Sequence, residues 1–162
     1  LSLTALKTGE ATSAVTTTTV TTFDAQPAFP RSISVDPGGT TADVPAGDVI
    51  VTGTDAHGNV ITDTITFLAN ATAAINTVKA FASVTSVLFP IQDGAAATYD
   101  IGFGDKLGLN RKFPTNGNLF LGRADASSDA GTLVVSASAI SGNHYTPATA
   151  TDTSKSFVLA IF

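Results

Sequence analysis

The chain has 162 residues, enough for one domain with a full hydrophobic core, and its 8 basic and 13 acidic residues give a formal charge of −5. Charged residues make up 13% of the sequence, about half of the roughly 25% found in globular proteins. The acidic balance argues against a general nucleic-acid binder. The absence of cysteine excludes disulfides and cysteine-ligated metals. No apolar run reaches the roughly 18 residues of a membrane-spanning helix.

The first residues differ from the rest of the chain. Residues 1–13 are polar and weakly patterned, and they show no evident core-facing side chains. We interpret them as an extended N-terminal arm that precedes a single domain spanning residues 14–162. The composition shows no break that would mark a second domain.

An alternation of period two dominates the rest, and β-branched residues are abundant, which favours strands over helices. The last predicted strand is apolar on both faces, so we expect it to be central and covered. Residues 69–78 are predicted as one or two helical turns or as a loop, and 146–156 as a surface loop. The predicted strands are 14–23, 29–35, 48–54, 60–67, 79–88, 98–103, 119–122, 133–140 and 157–162.

Turn-forming residues separate these strands at 36–39, 45–47, 93–94, 116–118 and 141–143. Several short strands spaced in this way predict an all-β fold: a single antiparallel β-sandwich or jelly-roll-like domain with little helix. The strongest local signal is a hairpin of residues 49–54 and 60–67 around Asp55-Ala56-His57-Gly58-Asn59. Asp55 can accept N–H groups at the start of this turn, and Gly58 can take a positive φ.

Catalytic motifs are missing. The two histidines, His57 and His144, lie in loop-like segments without a nucleophile elbow, so both are predicted to be exposed loop imidazoles. Glu10 is the only glutamate, and no pair of carboxylates is indicated for glycoside hydrolysis. The sequence therefore predicts a protein that is not an enzyme, with no catalytic, cofactor-binding or metal-binding residues.

Two segments resemble ligand sites superficially. Asp55, Asn59 and Asp63 could bracket a cation, but capping of the turn by Asp55 and Asn59 is the favoured interpretation. The glycine-rich run at residues 102–109 has the spacing G-x-G-x-x-x-G and lacks the spacing of a phosphate-binding loop. We interpret that run as a strand end turning into a loop.

Asp63 breaks the strand pattern, because it falls on the face of Ile61, Ile65 and Phe67. An unpaired buried carboxylate is costly. We therefore expect Asp63 either to have a partner or to emerge into solvent; the candidate partners are Arg31, Lys79 and Arg123.

The order of three segments resembles a group of small tailed-bacteriophage virion proteins, the capsid decoration or cement type. They are Gly-Thr-Asp-Ala-His-Gly-Asn-Val-Ile-Thr-Asp-Thr-Ile-Thr-Phe, Lys-Ala-Phe-Ala-Ser-Val-Thr-Ser-Val, and Gly-Asp-Lys-Leu-Gly-Leu. The resemblance covers about residues 49–112 and rests on turn and strand patterns. It implies a non-enzymatic protein on the outer capsid surface of the virion that clamps head-lattice subunits together. The implied partners are the major capsid protein and copies of itself, often as a trimer, with neither nucleic acid nor membrane.

Two other functions compete with this one. A carbohydrate-binding or adhesin β-sandwich on a virion or cell surface would usually present aromatic side chains, and this chain has no tryptophan and only Tyr99 and Tyr145 as tyrosines. A small hydrolase would need a nucleophile or metal motif.

The virion interpretation gives the N-terminal residues a role. Residues 16–22 carry no charge that would guard a strand edge. We therefore expect residues 1–23 to lie against a neighbouring subunit or the major capsid protein.

Overall fold

The computed structural model describes residues 2–113, 120–125, 127–149 and 156–161. These residues form antiparallel strands, with single 3-10 turns at Thr41–Asp43 and Ile140–Gly142 and no α-helix. In this part of the chain, no helix has the length and apolar character needed to cross a membrane. The strands are β1 (Ser2–Ala11), β2 (Thr18–Val20), β3 (Arg31–Gly39), β4 (Gly47–Thr54), β5 (Val60–Phe67), β6 (Ile75–Asn76), β7 (Ser83–Phe89), β8 (Ala97–Gly108), β9 (Phe120–Ala124), β10 (Ser127–Ser128), β11 (Thr132–Val134), β12 (His144–Thr146) and β13 (Phe157–Ile161).

The strands form two large sheets and one small one. The six-stranded sheet has the order β11-β12-β8-β3-β6, and β1 also pairs with β8. The four-stranded sheet has the order β2-β7-β4-β5, and the small sheet has the order β10-β9-β13. The prediction of an all-β antiparallel fold with sandwich character is confirmed.

The two large sheets share one hydrophobic core. Its aromatic centre is Tyr99 of the six-stranded sheet, whose ring lies 6.1 Å from that of Phe67 and 4.6 Å from that of Phe89 in the four-stranded sheet. Stacked and tilted ring pairs at these distances stabilise a core beyond their burial alone. The other large side chains that are fully buried in this core are Leu6, Ile33, Val35, Val44, Val49, Ile65, Phe81 and Ile101.

The predicted hairpin is confirmed. Strands β4 and β5 pair in continuous register from Gly47 opposite Phe67 to Thr54 opposite Val60. The alternation along β5 places Ile65 and Phe67 in the core and leaves Thr62, Thr64 and Thr66 exposed.

The N-terminal residues are extended, as expected, but they are not an uncommitted arm. Strand β1 pairs with β8 of the same chain, from Ser2 opposite Phe103 to Ala11 opposite Thr98. Leu6 is completely buried in the core, so the expectation that residues 1–13 lack a core-facing side chain is wrong. Leu6 is the one buried side chain among those described in β1, which is too sparse a signal to produce a period.

The turn predicted at residues 36–39 is also wrong, because β3 continues through Gly39 opposite Ala97. Strand β6 covers the other edge of β3 only at Ser34 and Val35. Pro37 lies beyond that point, where this edge of β3 is open, so no hydrogen bond between strands is lost because proline has no N–H group. Gly39 has φ +73°, and a Cβ there would overlap the backbone of Ala96, so glycine marks a close approach and not a chain reversal.

Three further segments differ from their predictions. Only Thr18–Val20 of residues 14–23 forms a strand, and residues 133–140 leave the sheet after Val134. Residues 69–78, predicted as helical turns or as a loop, do form a loop, which contains only the two-residue strand β6. Strand β13 pairs with β9 in the described residues, and Val158 is 57% exposed, so this strand is not covered on both faces as expected. Predictions for residues 116–118 and 150–155 lie outside the described residues.

Candidate interaction surfaces

The hairpin tip between β4 and β5 is a turn organised by one carboxylate. Asp55 Oδ1 accepts the backbone N–H groups of His57 at 2.8 Å and Asn59 at 3.0 Å, and the Asn59 side-chain amide donates to both carboxylate oxygens. Burial would raise the pKa of Asp55, but these hydrogen bonds outweigh it and lower the pKa below its ordinary value. The predicted capping by Asp55 and Asn59 is confirmed.

Asp63 does not join this turn. Its Oδ2 accepts the backbone N–H of Lys79 at 2.8 Å, and its Oδ1 accepts the N–H of Thr64 at 3.1 Å. Lys79 is thus the partner, as one of the alternatives predicted, but through its backbone. The Lys79 ammonium instead donates to the carbonyl of Thr62 at 2.5 Å. The two side chains thus hydrogen-bond to the N–H of Thr64 and the carbonyl of Thr62 in β5. This strand is at the edge of its sheet, so no neighbouring strand pairs with its outer side.

A groove opens beside the hairpin tip. It has a volume of ≈ 470 Å³ and lies between the tip, residues 110–112 and the loop 138–141. His57 Nε2 lies 2.9 Å from the carbonyl of Asn110, so this nitrogen carries the proton that is donated. Arg111 and Lys112, the only adjacent basic pair in the sequence, are exposed on the groove wall.

His144 departs from its prediction. It lies in β12 opposite Gly108 and is only 4% exposed, so it is not an exposed loop imidazole. Burial, with a contribution from the charge of Lys106, lowers its pKa. Its Nδ1 has no hydrogen-bond partner among the described residues. His57, in contrast, is exposed as expected.

Tyr145 and Asp129 form a buried hydrogen-bonded pair that no sequence motif indicates. The Tyr145 hydroxyl donates to Asp129 Oδ1, and the carboxylate also accepts N–H groups from Gly131, Ala148 and Thr149 at 3.0 Å. Burial opposes ionisation of Asp129, but these hydrogen bonds hold its pKa well below the ordinary range. Burial and the bond to Asp129 raise the pKa of Tyr145 to about 12. The partners are separated along the chain, so no local motif reveals them.

The outer face of the six-stranded sheet is covered by its own side chains. Ser32 and Ser34 point away from the core and are nevertheless completely buried. Asn76 reaches across to Asp105, and the Lys106 ammonium donates to the carbonyl of Thr77 at 2.9 Å. This polar layer closes that face to a partner.

The outer face of the four-stranded sheet is bare. One row across the sheet reads Thr19, Leu88, Ile50 and Thr64, and the next includes Ser86, Thr52 and Thr62. Charged side chains lie at the margins of this face: Asp48 accepts the hydroxyl of Thr66, and the Lys79 ammonium bonds to the Thr62 carbonyl at the edge of β5. We call this surface the threonine face. It combines hydroxyls, methyls and two half-buried aliphatic side chains.

Other sequence-predicted features fall elsewhere. The glycine-rich run at 102–109 lies largely inside β8, so it is a strand and not a strand end turning into a loop. Tyr99 and Tyr145 are both buried. Glu10 forms an ion pair with Lys7 at 3.8 Å. Among the described residues, no three acidic or histidine side chains are grouped as metal ligands would be.

Comparison with protein-family models, with curated proteins and with solved structures finds no match for this chain. The arguments about function below therefore depend on the residues and surfaces of the chain itself.

Proposed function

We propose that this chain is a non-enzymatic structural protein of a virion: a capsid decoration protein that binds the outside of the head lattice and stabilises it. Its partners are the major capsid protein and further copies of the same chain. The resemblance over residues 49–112 supplies the virion part of the proposal. The observation that carries the binding role is the threonine face.

A bare sheet face of this composition suits tight packing against a partner. β-Branched threonines hold their side chains in few rotamers, so ordering them at an interface costs little entropy. Because Asp48 is confined to the margin, few charges need to be desolvated when a partner covers the centre. Ile50 and Leu88, neighbours in the middle of the row, supply apolar contact.

The size of the face indicates what else must join it. Three strands about 4.8 Å apart and about 25 Å long, with the shorter β2 of about 10 Å beside them, present roughly 400 Å². A standard stable interface uses about 800 Å² on each partner. The exposed side chains Val60 and Leu68, at the two ends of β5, extend the apolar margin of the face. The face and this margin together approach the standard area.

The carbohydrate-binding alternative has less support from the same structure. Sugar rings stack on exposed aromatic side chains, and both tyrosines are buried. Phe29 is 49% exposed, but the guanidinium of Arg31 lies 5.4 Å from its ring centroid. A planar ligand would have to displace that cation.

The proposal is tested on particles from the native source. Purified virions should contain the chain in a fixed ratio to the major capsid protein, and particles stripped of it should bind the recombinant chain in a pelleting assay. Heat or low salt should then break the stripped particles sooner than the re-decorated ones. Absence of the chain from purified particles contradicts the proposal.

A further inference from the structure

The sandwich has two chemically different ends. Strand β4 begins at one end with Gly47, and the chain reverses at the other end in the hairpin tip. Strand β8 follows Ala96, whose N–H donates to Asp43 shortly before β4, and it precedes Asn110, whose carbonyl accepts from His57 at the hairpin tip. It therefore runs between the same two ends. The first and last residues of each long strand therefore lie at opposite ends of the sandwich.

One end is acidic. Asp43 and Asp93 lie on adjoining loops there, joined by the hydrogen bond from Asp93 N to the Asp43 carbonyl at 3.0 Å. The Asp93 side chain is exposed, and its neighbour Ile91 is 48% exposed. The remaining acidic side chains on the strand portions towards this end are Glu10, Asp36, Asp48 and Asp100.

The other end is basic. Arg111 and Lys112 are exposed there on the wall of the groove, and neither makes a hydrogen bond or ion pair within the described part of the chain. Two carboxylates also lie near this end, one of them, Asp55, as part of the groove wall, and both accept hydrogen bonds from within the chain. Asp55 caps its turn, and Asp105 accepts from Asn76.

We propose that copies of this chain associate end to end, with the acidic loop that carries Asp93 in one copy seated in the groove beside Arg111 and Lys112 of the next. The occupant is a second copy because the chain itself supplies both complementary surfaces. The contact is heterologous, and such contacts close into rings when the rotation between copies allows it.

The groove has room for this occupant and offers it apolar contact as well as charge. Its volume of ≈ 470 Å³ is enough for a few side chains of a protruding loop. Ile61 and Ile140 line it and offer apolar contact to Ile91. The ring of His57 is held by the Asn110 carbonyl, so this wall is formed before the partner arrives.

This contact does not depend on the virion proposal. It uses the two ends of the sandwich and leaves the threonine face free. The two proposals fail separately, because end-to-end association is measured with the purified chain alone.

The experiment is sedimentation velocity of the full chain in solutions of low and high ionic strength. Wild type should associate at low salt, and raising the salt from about 0.05 M to about 0.5 M should weaken association at least tenfold, since the screening length shrinks to a few ångströms. The double variant Arg111→Glu with Lys112→Glu, and separately Asp93→Lys, should each reduce association at least tenfold. Asp24→Lys, an exposed position away from both ends with the same charge change, should associate like wild type.

The decisive measurement mixes the two charge-reversed variants, Asp93→Lys and the double variant Arg111→Glu with Lys112→Glu. The Asp93→Lys copy offers a basic loop to the acidic groove of the other, so the mixture should recover association that neither protein shows alone. Recovery also demonstrates that both are folded, and Arg111→Gln with Lys112→Gln provides a milder variant if the double reversal fails to fold. A monomeric wild type at low salt, or reversed variants that associate like wild type, would overturn the proposal.

Discussion

The two sheets of the sandwich share one core but treat their outer faces in opposite ways. On the six-stranded sheet, Ser32 and Ser34 are buried beneath Asn76 and Lys106, which bond to each other's neighbours across the strands. On the four-stranded sheet, Thr62 and its neighbours remain exposed, and no element of the described chain lies over them.

This difference shows where the molecule packs its polar side chains against one another and where it leaves them to solvent. Ser32 Oγ accepts the N–H of Lys106 at 3.2 Å, whereas Ser34 Oγ is buried without a hydrogen-bond partner among the described residues. A hydroxyl that is buried within the chain contributes to stability, because leaving its partners unsatisfied is costly. An exposed hydroxyl on a regular sheet contributes little to folding and is available for contacts with another molecule. The covered sheet should therefore be sensitive to mutation in stability, and the bare face in binding.

The largest expected effect lies in the six-stranded sheet, where Tyr145 of β12 meets Asp129. Replacing Asp129 with Ala leaves the N–H groups of Ala148 and Thr149 without their acceptor, while Tyr145 keeps the backbone carbonyl of residue 129 and the Gly131 N–H keeps the Tyr145 hydroxyl. The loss of the carboxylate should lower the free energy of unfolding by about 3 kcal/mol. Urea denaturation near neutral pH measures this loss. Asp24→Ala, at an exposed carboxylate, is the matched control and should change stability by less than about 0.5 kcal/mol.

The difference in stability between wild type and Asp129→Ala should depend on pH, and the pKa of Asp129 sets the sign of that dependence. The pKa of Asp129 in the folded chain lies below its ordinary value of 3.8. Its contribution is therefore fully present above that value and is lost as the pH falls towards the lower, folded-state pKa. The gap in stability between wild type and Asp129→Ala should narrow on acidification below about pH 4. A gap that widens in acid would show that Asp129 is not held as a carboxylate.

A smaller effect is expected from the centre of the covered face. A Cβ added at Gly104 would overlap the Ser32 hydroxyl and lie 3.0 Å from Asn76 Oδ1, so Gly104→Ala should cost about 2 kcal/mol by overpacking. Thr64→Ala on the threonine face should cost less than about 0.5 kcal/mol. Chemical denaturation of both variants tests the contrast between the faces. Equal losses would mean that the two faces do not differ in the way described.

Local patterns were enough to predict the strands that build the threonine face. The alternation of Ile65 and Phe67 with Thr64 and Thr66 is a short-range signal, because neighbouring side chains of a strand point to opposite faces. The turn chemistry of Asp55 and Asn59 is local for the same reason. The hairpin, its register and its capping carboxylate therefore followed from the sequence.

The features that escaped prediction depend on distant contacts. Leu6 is buried because β1 pairs with β8, more than ninety positions along the chain, and nothing near Leu6 indicates that partner. Asp129 and Tyr145 are 16 positions apart, and the segment between them shows no pattern that would bring them together. His144 was read as a loop residue because its strand of three residues is too short to show a period.

The candidate surfaces were predictable only in part. The adjacent pair Arg111 and Lys112 is visible in the sequence, but its groove is assembled from three separated segments. To predict that one end of the sandwich is acidic and the other basic, one must know which strand ends lie together. Neither can be derived from composition, which gives only the net charge.

The most direct test of the central claim is quantitative binding of threonine-face variants to stripped particles. Thr62→Lys combined with Thr64→Lys places two charges on the bare face and should leave the melting temperature nearly unchanged, while binding to particles falls at least tenfold. Thr72→Lys, in the exposed loop between β5 and β6, is the control and should bind like wild type. If the double variant is folded and decorates particles as well as wild type does, the threonine face is not the surface that holds this protein to its lattice.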